Sequence, residues 1–208
     1  MNPIELVTDW HRKFGVALPD SPSFDPGVCA LRIALLTEET GELREAIETD
    51  NRVETLDALC DMQYVLSGAI ASTGVSEYLQ SEMMPSLQEE NDAPFLVRQM
   101  VFQITKLNKD FQRGYPNNVG ARFSVMQWIL DALIQVTGFD KVFADAFLAV
   151  HENNCAKVWR REELFNMGHL DQWTHCHWRQ DHYIVRNSIG KIIKPPGHTK
   201  VDLGRFIA

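Results

Sequence analysis

The chain has 208 residues, 45% of them hydrophobic and 23% charged, which suits one globular domain with an ordinary core and room for an appendage. A formal charge of -8 argues against a nucleic-acid polymer as partner, because that binding depends on Lys and Arg neutralising phosphates. No apolar run approaches the roughly 18–20 residues that a bilayer span needs, so a membrane role has no support.

The opening MNPIELVTDWHRK carries an acid early and lacks the apolar core of a secretory signal. Cys29, Cys60, Cys155 and Cys176 show no paired spacing, so a reducing cytoplasm is the expected compartment. Asp25-Pro26 reads as a helix start, with Asp as cap and Pro in first position, and the predicted helix runs to the turn at residues 48–51. Asn51 caps a second helix that ends at Thr73-Gly74. Residues 75–93 are polar and acidic and read as a short helix and loop. A third helix is predicted over 94–112, a break over 113–118, a fourth helix over about 120–137 and a fifth over 140–160. Beyond residue 169 the chain is rich in Trp, His and β-branched residues, with short strands expected at Ile184-Val185 and Ile192-Ile193 before the loop Lys194-Pro195-Pro196-Gly197.

The third and fourth helices carry broad apolar surfaces, including Phe95, Val97, Met100, Val101, Ile104 and Leu107 on the third. They predict a hairpin that docks on the preceding helices or on a partner chain. Lys106, Lys109 and Arg113 gather charge at one end of it, either as ordinary helix-end charge or as phosphate ligands for a neighbouring site.

Two acidic pairs carry most of the chemical information. At about 100° per residue, Val28, Leu31, Leu35, Glu39, Glu42 and Ala46 share one helical stripe. On the next helix Glu54, Asp57, Asp61, Val65 and Gly68 share another, while Leu56, Leu59, Leu66 and Ile70 line the other side. Both stripes are expected to be buried. An unpaired buried carboxylate costs several kcal/mol, and a hard divalent cation with oxygen ligands removes that cost. Glu54 alone also fits a capping box three places after Asn51. Glu38, at the stripe's edge, either orients a water or faces solvent, and Asp61 either completes a metal shell or holds a Lys. On the fifth helix Phe143, Ala146, Phe147, Val150, Asn154 and Lys157 share a stripe, so the seam ends in an amide and an ammonium suited to phosphate oxygens. Lys191 and Lys194 flank Ile192-Ile193 and are placed to close over the same site. His169, His175, Cys176 and His177 lack metal-ligand spacing and read as structural, and Trp159, Trp173 and Trp178 as packing.

The segments LRIALLTEETGELREAI and VETLDALCDMQYVLSGA resemble the all-α nucleoside triphosphate pyrophosphohydrolases, the MazG-like superfamily that includes dimeric dUTPases and phosphoribosyl-ATP pyrophosphohydrolase. The E-x-x-E and E-x-x-D signature falls on Glu39, Glu42, Glu54 and Asp57. HENNCAK and GKIIKPPGHTKVDL are similar to an N-x-x-K helix end and a GK-x-x-K-PP tail, so the likeness covers 25–74, 138–158 and 189–203. It implies an all-α fold, a MazG-like helical bundle with an inserted helical hairpin and a short irregular C-terminal tail. The catalytic bundle would be 1–160, with 75–137 as the insertion, and 161–208 would be an extension closing over the site. It further implies hydrolysis of a (deoxy)nucleoside triphosphate, such as dUTP, dCTP or dGTP, to the monophosphate and pyrophosphate. Two or more Mg2+ or Mn2+ ions would sit on Glu39, Glu42, Glu54 and Asp57, with Glu38 or Asp61 as base and Asn154, Lys157, Lys191 and Lys194 on the phosphates. A homo-dimer or homo-tetramer is expected by the same resemblance. Two other readings stay open: a carboxylate di-iron bundle, for which no Glu-x-x-His motif occurs, and a non-catalytic metal or nucleotide sensor.

Overall fold

The computed structural model describes residues 2–80, 92–165, 172–176 and 178–207, which form seven α-helices and one small antiparallel sheet. Helix α1, Pro3–Lys13, is one that the sequence reading did not place; Asn2 caps it through its side-chain oxygen. Helices α2, Pro26–Glu48, and α3, Arg52–Thr73, begin at the expected caps Asp25 and Asn51, and Gly74 closes α3 with φ 67°. That left-handed turn is one glycine adopts without a Cβ penalty. Helix α4, Ala93–Arg113, ends at Gly114. Helix α5, Pro116–Val136, starts earlier than expected because Pro116 opens it instead of breaking the chain; the missing N–H of proline is no loss at that position. Helix α6 is shorter than expected, Phe143–Cys155, with Ala156 as its cap.

Helix α3 is the centre of the molecule, packing against α2, α1, α5 and α6. It is buried on nearly every side from Thr55 to Thr73, which is why its apolar positions follow no single stripe. Ala58, Ser67, Gly68, Ala69, Ala71 and Ser72 keep it slim enough to accept neighbours all round. The α4–α5 hairpin docks with α4 on α2 and α5 on α3, so it extends the core of its own chain. Its contact face on α4 is Leu96, Val97, Met100, Ile104, Leu107 and Phe111, whereas Phe95 and Val101, expected on that face, are exposed.

After α6 the chain forms β1, Trp159–Arg160; α7, Arg161–Phe165; β2, Gln172–His175; β3, His182–Arg186; and β4, Ile192–Ile193. β3 pairs antiparallel with β2 on one edge and with β1 and β4 on the other, in the register Val185↔Ile193. The two expected strands are thus present, yet they belong to a four-stranded sheet, so the tail is more regular than the sequence suggested. Trp159 is fully buried and its indole N–H donates to the Ile193 carbonyl at 2.8 Å. The Arg186 guanidinium donates to the Phe14 carbonyl beyond α1, tying sheet to bundle. Trp173 is not a packing residue: it is 56% exposed and meets only the edge of Tyr183 among the described rings. His169 and His177 lie outside the described residues, His175 is exposed and Cys176 is buried.

Gly120 marks where α5 passes the Val75–Leu79 turn, since a Cβ there would stand 2.6 Å from the Tyr78 carbonyl carbon. Gly120→Ala should therefore lower unfolding stability by about 1–3 kcal/mol through overpacking against backbone. An unchanged denaturation midpoint would show that the approach is looser than this.

Candidate functional site

The core face of α2 is Cys29, Arg32, Leu36, Thr40, Leu43 and Ala46, one position round from the stripe expected to be buried. Leu31, Leu35 and Glu39 consequently lie at its margin, partly buried, and Glu42 is exposed. The displaced register puts a cation in the core: Arg32 Nε donates to Ser72 Oγ at 2.8 Å. Beside it, burial and then the Arg32 charge push the His11 imidazole down to about 3, so it stays neutral. On α3, Asp57 is 5% exposed, Asp61 is partly buried and Glu54 is exposed. The acids thus line a groove margin between α2 and α3 instead of a sealed seam. The reason lies outside the two helices, because the C-terminal extension covers part of that margin and Gly190 passes over Leu31.

Two lysines of the extension reach the acids. Lys191 Nζ stands 2.8 Å from each Glu38 oxygen. Lys200 Nζ lies 2.7 Å from Asp57 Oδ2 and 3.0 Å from Glu54 Oε2. Lys200 was missed by sequence reasoning because it stands in irregular chain with no strand to set its direction; its membership of GKIIKPPGHTKVDL was the available signal. Lys157 lies beyond the end of α6, so it is not the helical-stripe residue that the periodicity predicted. It nonetheless lies within electrostatic reach of Asp61, Lys194, Glu39 and Lys191. Asn154 is 5% exposed and its backbone carbonyl accepts the Trp10 indole N–H at 3.1 Å. Its neighbour Asn153 secures the tail, donating to the Thr199 carbonyl at 2.8 Å and meeting His198 Nε2 at 2.9 Å. Lys106, Lys109 and Arg113 lie elsewhere: the end of α4 packs beside Phe24 at the start of α2, and Arg113 is 3.8 Å from Asp110.

The electrostatics follow from this crowding. Burial, then the charges of Asp61, Glu42 and Glu38, push the Glu39 carboxyl up to about 8 against the opposing pull of Lys191. Burial and Asp57 raise Asp61 to about 6, with Lys157 and Lys200 opposing. Burial lowers the Lys157 ammonium more than Asp61 raises it. For Lys200, burial works downward, but the hydrogen bonds to Asp57 and Glu54 prevail and raise it. Glu39 Oε2 is fully buried and has no hydrogen-bond partner among the described residues. Among the described residues no three His, Cys, Asp or Glu stand together at metal-ligating spacing, and Glu38, Glu54 and Asp57 are instead paired with lysines.

Residues 7–91 match the family model described as phosphoribosyl-ATP pyrophosphohydrolase, a member of the MazG-like nucleoside triphosphate pyrophosphohydrolase superfamily. The matched stretch holds most of α1 and all of α2 and α3, and with them every acid from Glu38 to Asp61. It supports a nucleotide pyrophosphohydrolase activity. No curated protein and no solved structure matches the chain. Among the described residues no helix is long and apolar enough to cross a membrane.

Because the folded chain holds the Glu39 and Asp61 protons more tightly than the unfolded chain, these groups favour folding fully below their ordinary values of 4.5 and 3.8. That contribution is lost as pH rises through about 6 for Asp61 and about 8 for Glu39. In chelator, the protein should lose stability across this range, and Glu39→Gln should flatten the upper part. Denaturant midpoints taken across the range in both proteins test this; parallel losses would rule out Glu39 as the source.

Proposed function

We propose that the protein hydrolyses a (deoxy)nucleoside triphosphate to the monophosphate and pyrophosphate, with Mg2+ or Mn2+ as cofactor. The observation that carries the reading is the buried, unpartnered Glu39 Oε2 set among Asp61, Glu42 and Glu38. An acid so placed, beside other hard oxygen donors, fits a divalent cation. Glu39, Glu42, Glu54 and Asp57 are the proposed ligands of two or more ions. Such ions supply neutralisation of the phosphates' developing charge and an acidified water.

The chain's own residues do the rest. Lys157, Lys191 and Lys194 are proposed to hold phosphate oxygens as point charges, with Asn154 as a neutral donor. Lys200 joins them, since an ammonium that already neutralises Glu54 and Asp57 can equally face a phosphate. Asp61 is the better candidate base than Glu38: it is raised to about 6, nearer working pH, while Glu38 is engaged by Lys191. The bases to assay first are those of dUTP, dCTP and dGTP. A homo-dimer or homo-tetramer is proposed as the working assembly, with exposed Phe95, Val101 and Phe102 on α4 as apolar surface available to cover. Four free cysteines accord with a cytoplasmic location. A second reading, a non-catalytic nucleotide or metal binder, also stays open; its nucleotide form is favoured by one observation, that Lys200 already neutralises two of the proposed metal ligands.

Incubating the protein with each (d)NTP and Mg2+ or Mn2+ decides between them by the appearance of monophosphate and pyrophosphate. Glu39→Ala and Asp57→Ala should each abolish turnover while the apoprotein stays folded; full activity in either variant would remove this site from the reaction. Lys157→Ala should raise KM or lower kcat by about one to two orders of magnitude, the loss of a charged contact. Unchanged kinetics would leave Lys157 a helix-end residue.

A further inference from the structure

A concavity of about 420 Å3 lies between the end of α6, the strands β1 and β3, α7 and the loop 195–199. Val158 and Pro195, both buried, give it an apolar floor. Its charged lining is Arg160 and Arg179 against Glu163, the one acid among the described lining residues, with His182 and His198 beside them; burial and the nearby Lys157 and Lys194 keep the His198 imidazole neutral. Glu163 is already occupied, its Oε2 accepting the Arg160 backbone N–H at 2.6 Å. Arg179 lies 4.5 Å from the Trp178 ring centroid, and neither it nor Arg160 has an ion-pair partner among the described residues. The sign of the charge is set locally: residues 156–200 carry eight Lys and Arg against four Asp and Glu in a chain of net charge -8. The end of α6 reaches the pocket at Ala156, and its carbonyls contribute only about half a negative charge. Two guanidinium groups outweigh that.

This pocket adjoins the acidic groove where His198 lies in electrostatic reach of Lys157 and Lys194. We propose that the pocket binds a phosphate-bearing anion through its own arginines. Its volume is in the range that holds a small ligand, both arginines line it, and a guanidinium group matches phosphate oxygens bidentately. The ligand is either free pyrophosphate or the phosphate end of a second nucleotide, which share this chemistry. The site stands on its own lining and does not depend on the groove being catalytic.

Calorimetric titration of the full-length chain in chelator, where no divalent cation bridges anions to the carboxylates, tests it. The two titrants are inorganic pyrophosphate and a non-hydrolysable nucleoside triphosphate analogue. Saturable binding of one or both is expected. Arg160→Gln and Arg179→Gln should each weaken it by roughly tenfold, as the loss of a charged hydrogen bond does, and Glu163→Gln should tighten it. Lys191→Gln should leave it unchanged. Binding of pyrophosphate alone assigns the pocket to the free anion, and binding of the analogue alone assigns it to a nucleotide. No binding of either, undiminished binding in the folded double Arg variant, or dependence on Lys191 in place of the arginines would overturn the proposal. Turnover plays no part in this readout, so it stands or falls separately from the hydrolase reading.

Discussion

The arrangement of this molecule depends on negative charge held at the joint between α2 and α3. Glu38, Glu39, Glu42, Glu54, Asp57 and Asp61 fall within about three turns of that joint, on the most buried helix of the bundle and its nearest neighbour. Like charges at this density oppose folding unless cations answer them. The answer comes from far along the chain, through Lys191 on Glu38 and Lys200 on Glu54 and Asp57. The Glu38 pair is well exposed on both sides and worth at most about 1 kcal/mol. The Lys200 contact with Asp57 matters more, since the carboxylate is 8% exposed in its side chain and would otherwise be buried without a partner.

The remaining fold can be understood as the support for that joint. Because α3 is enclosed by α1, α2, α5 and α6, Asp57 and Asp61 project from a rod with little freedom to move. The α4–α5 hairpin adds to the enclosure by packing α4 on α2 and α5 on α3. The sheet fixes the extension: Trp159 bonds to Ile193, Asn153 to Thr199, and Arg186 to Phe14. Lys191 and Lys200 lie on chain anchored by these bonds, so their ammonium groups arrive at the groove from a held backbone.

Glu39 is the exception to this balance. Glu38, Glu54 and Asp57 are held by lysines, whereas the buried Glu39 oxygen has no hydrogen-bond partner among the described residues, and burial with the charges of Asp61, Glu42 and Glu38 raises its affinity for a proton. A group whose proton is held by burial and repulsion is one that a cation can displace with profit to the fold. This links the stability of the bundle to the chemistry proposed for it.

The sequence by itself determined the helices with strong caps, the hairpin's existence and the residue types at the joint, because capping and local periodicity are properties of a few adjacent residues. Asp25, Asn51 and Gly74 bounded α2 and α3 correctly, and the acidic motif pointed to the superfamily that the match over residues 7–91 supports. The tertiary structure decided which face of α2 is core, placing Arg32 inside and Glu42 outside, since an amphipathic margin with both apolar and acidic residues can rotate by one position at little cost in local pattern. It also decided that Lys200 shares Glu54 and Asp57, that Lys157 stands past its helix, and that short strands at residues 159–160 and 172–175 complete a sheet. Those outcomes rest on contacts between distant residues, such as Lys200 and Glu54, 146 positions apart, and no spacing within a single segment encodes which distant charge will arrive to neutralise it.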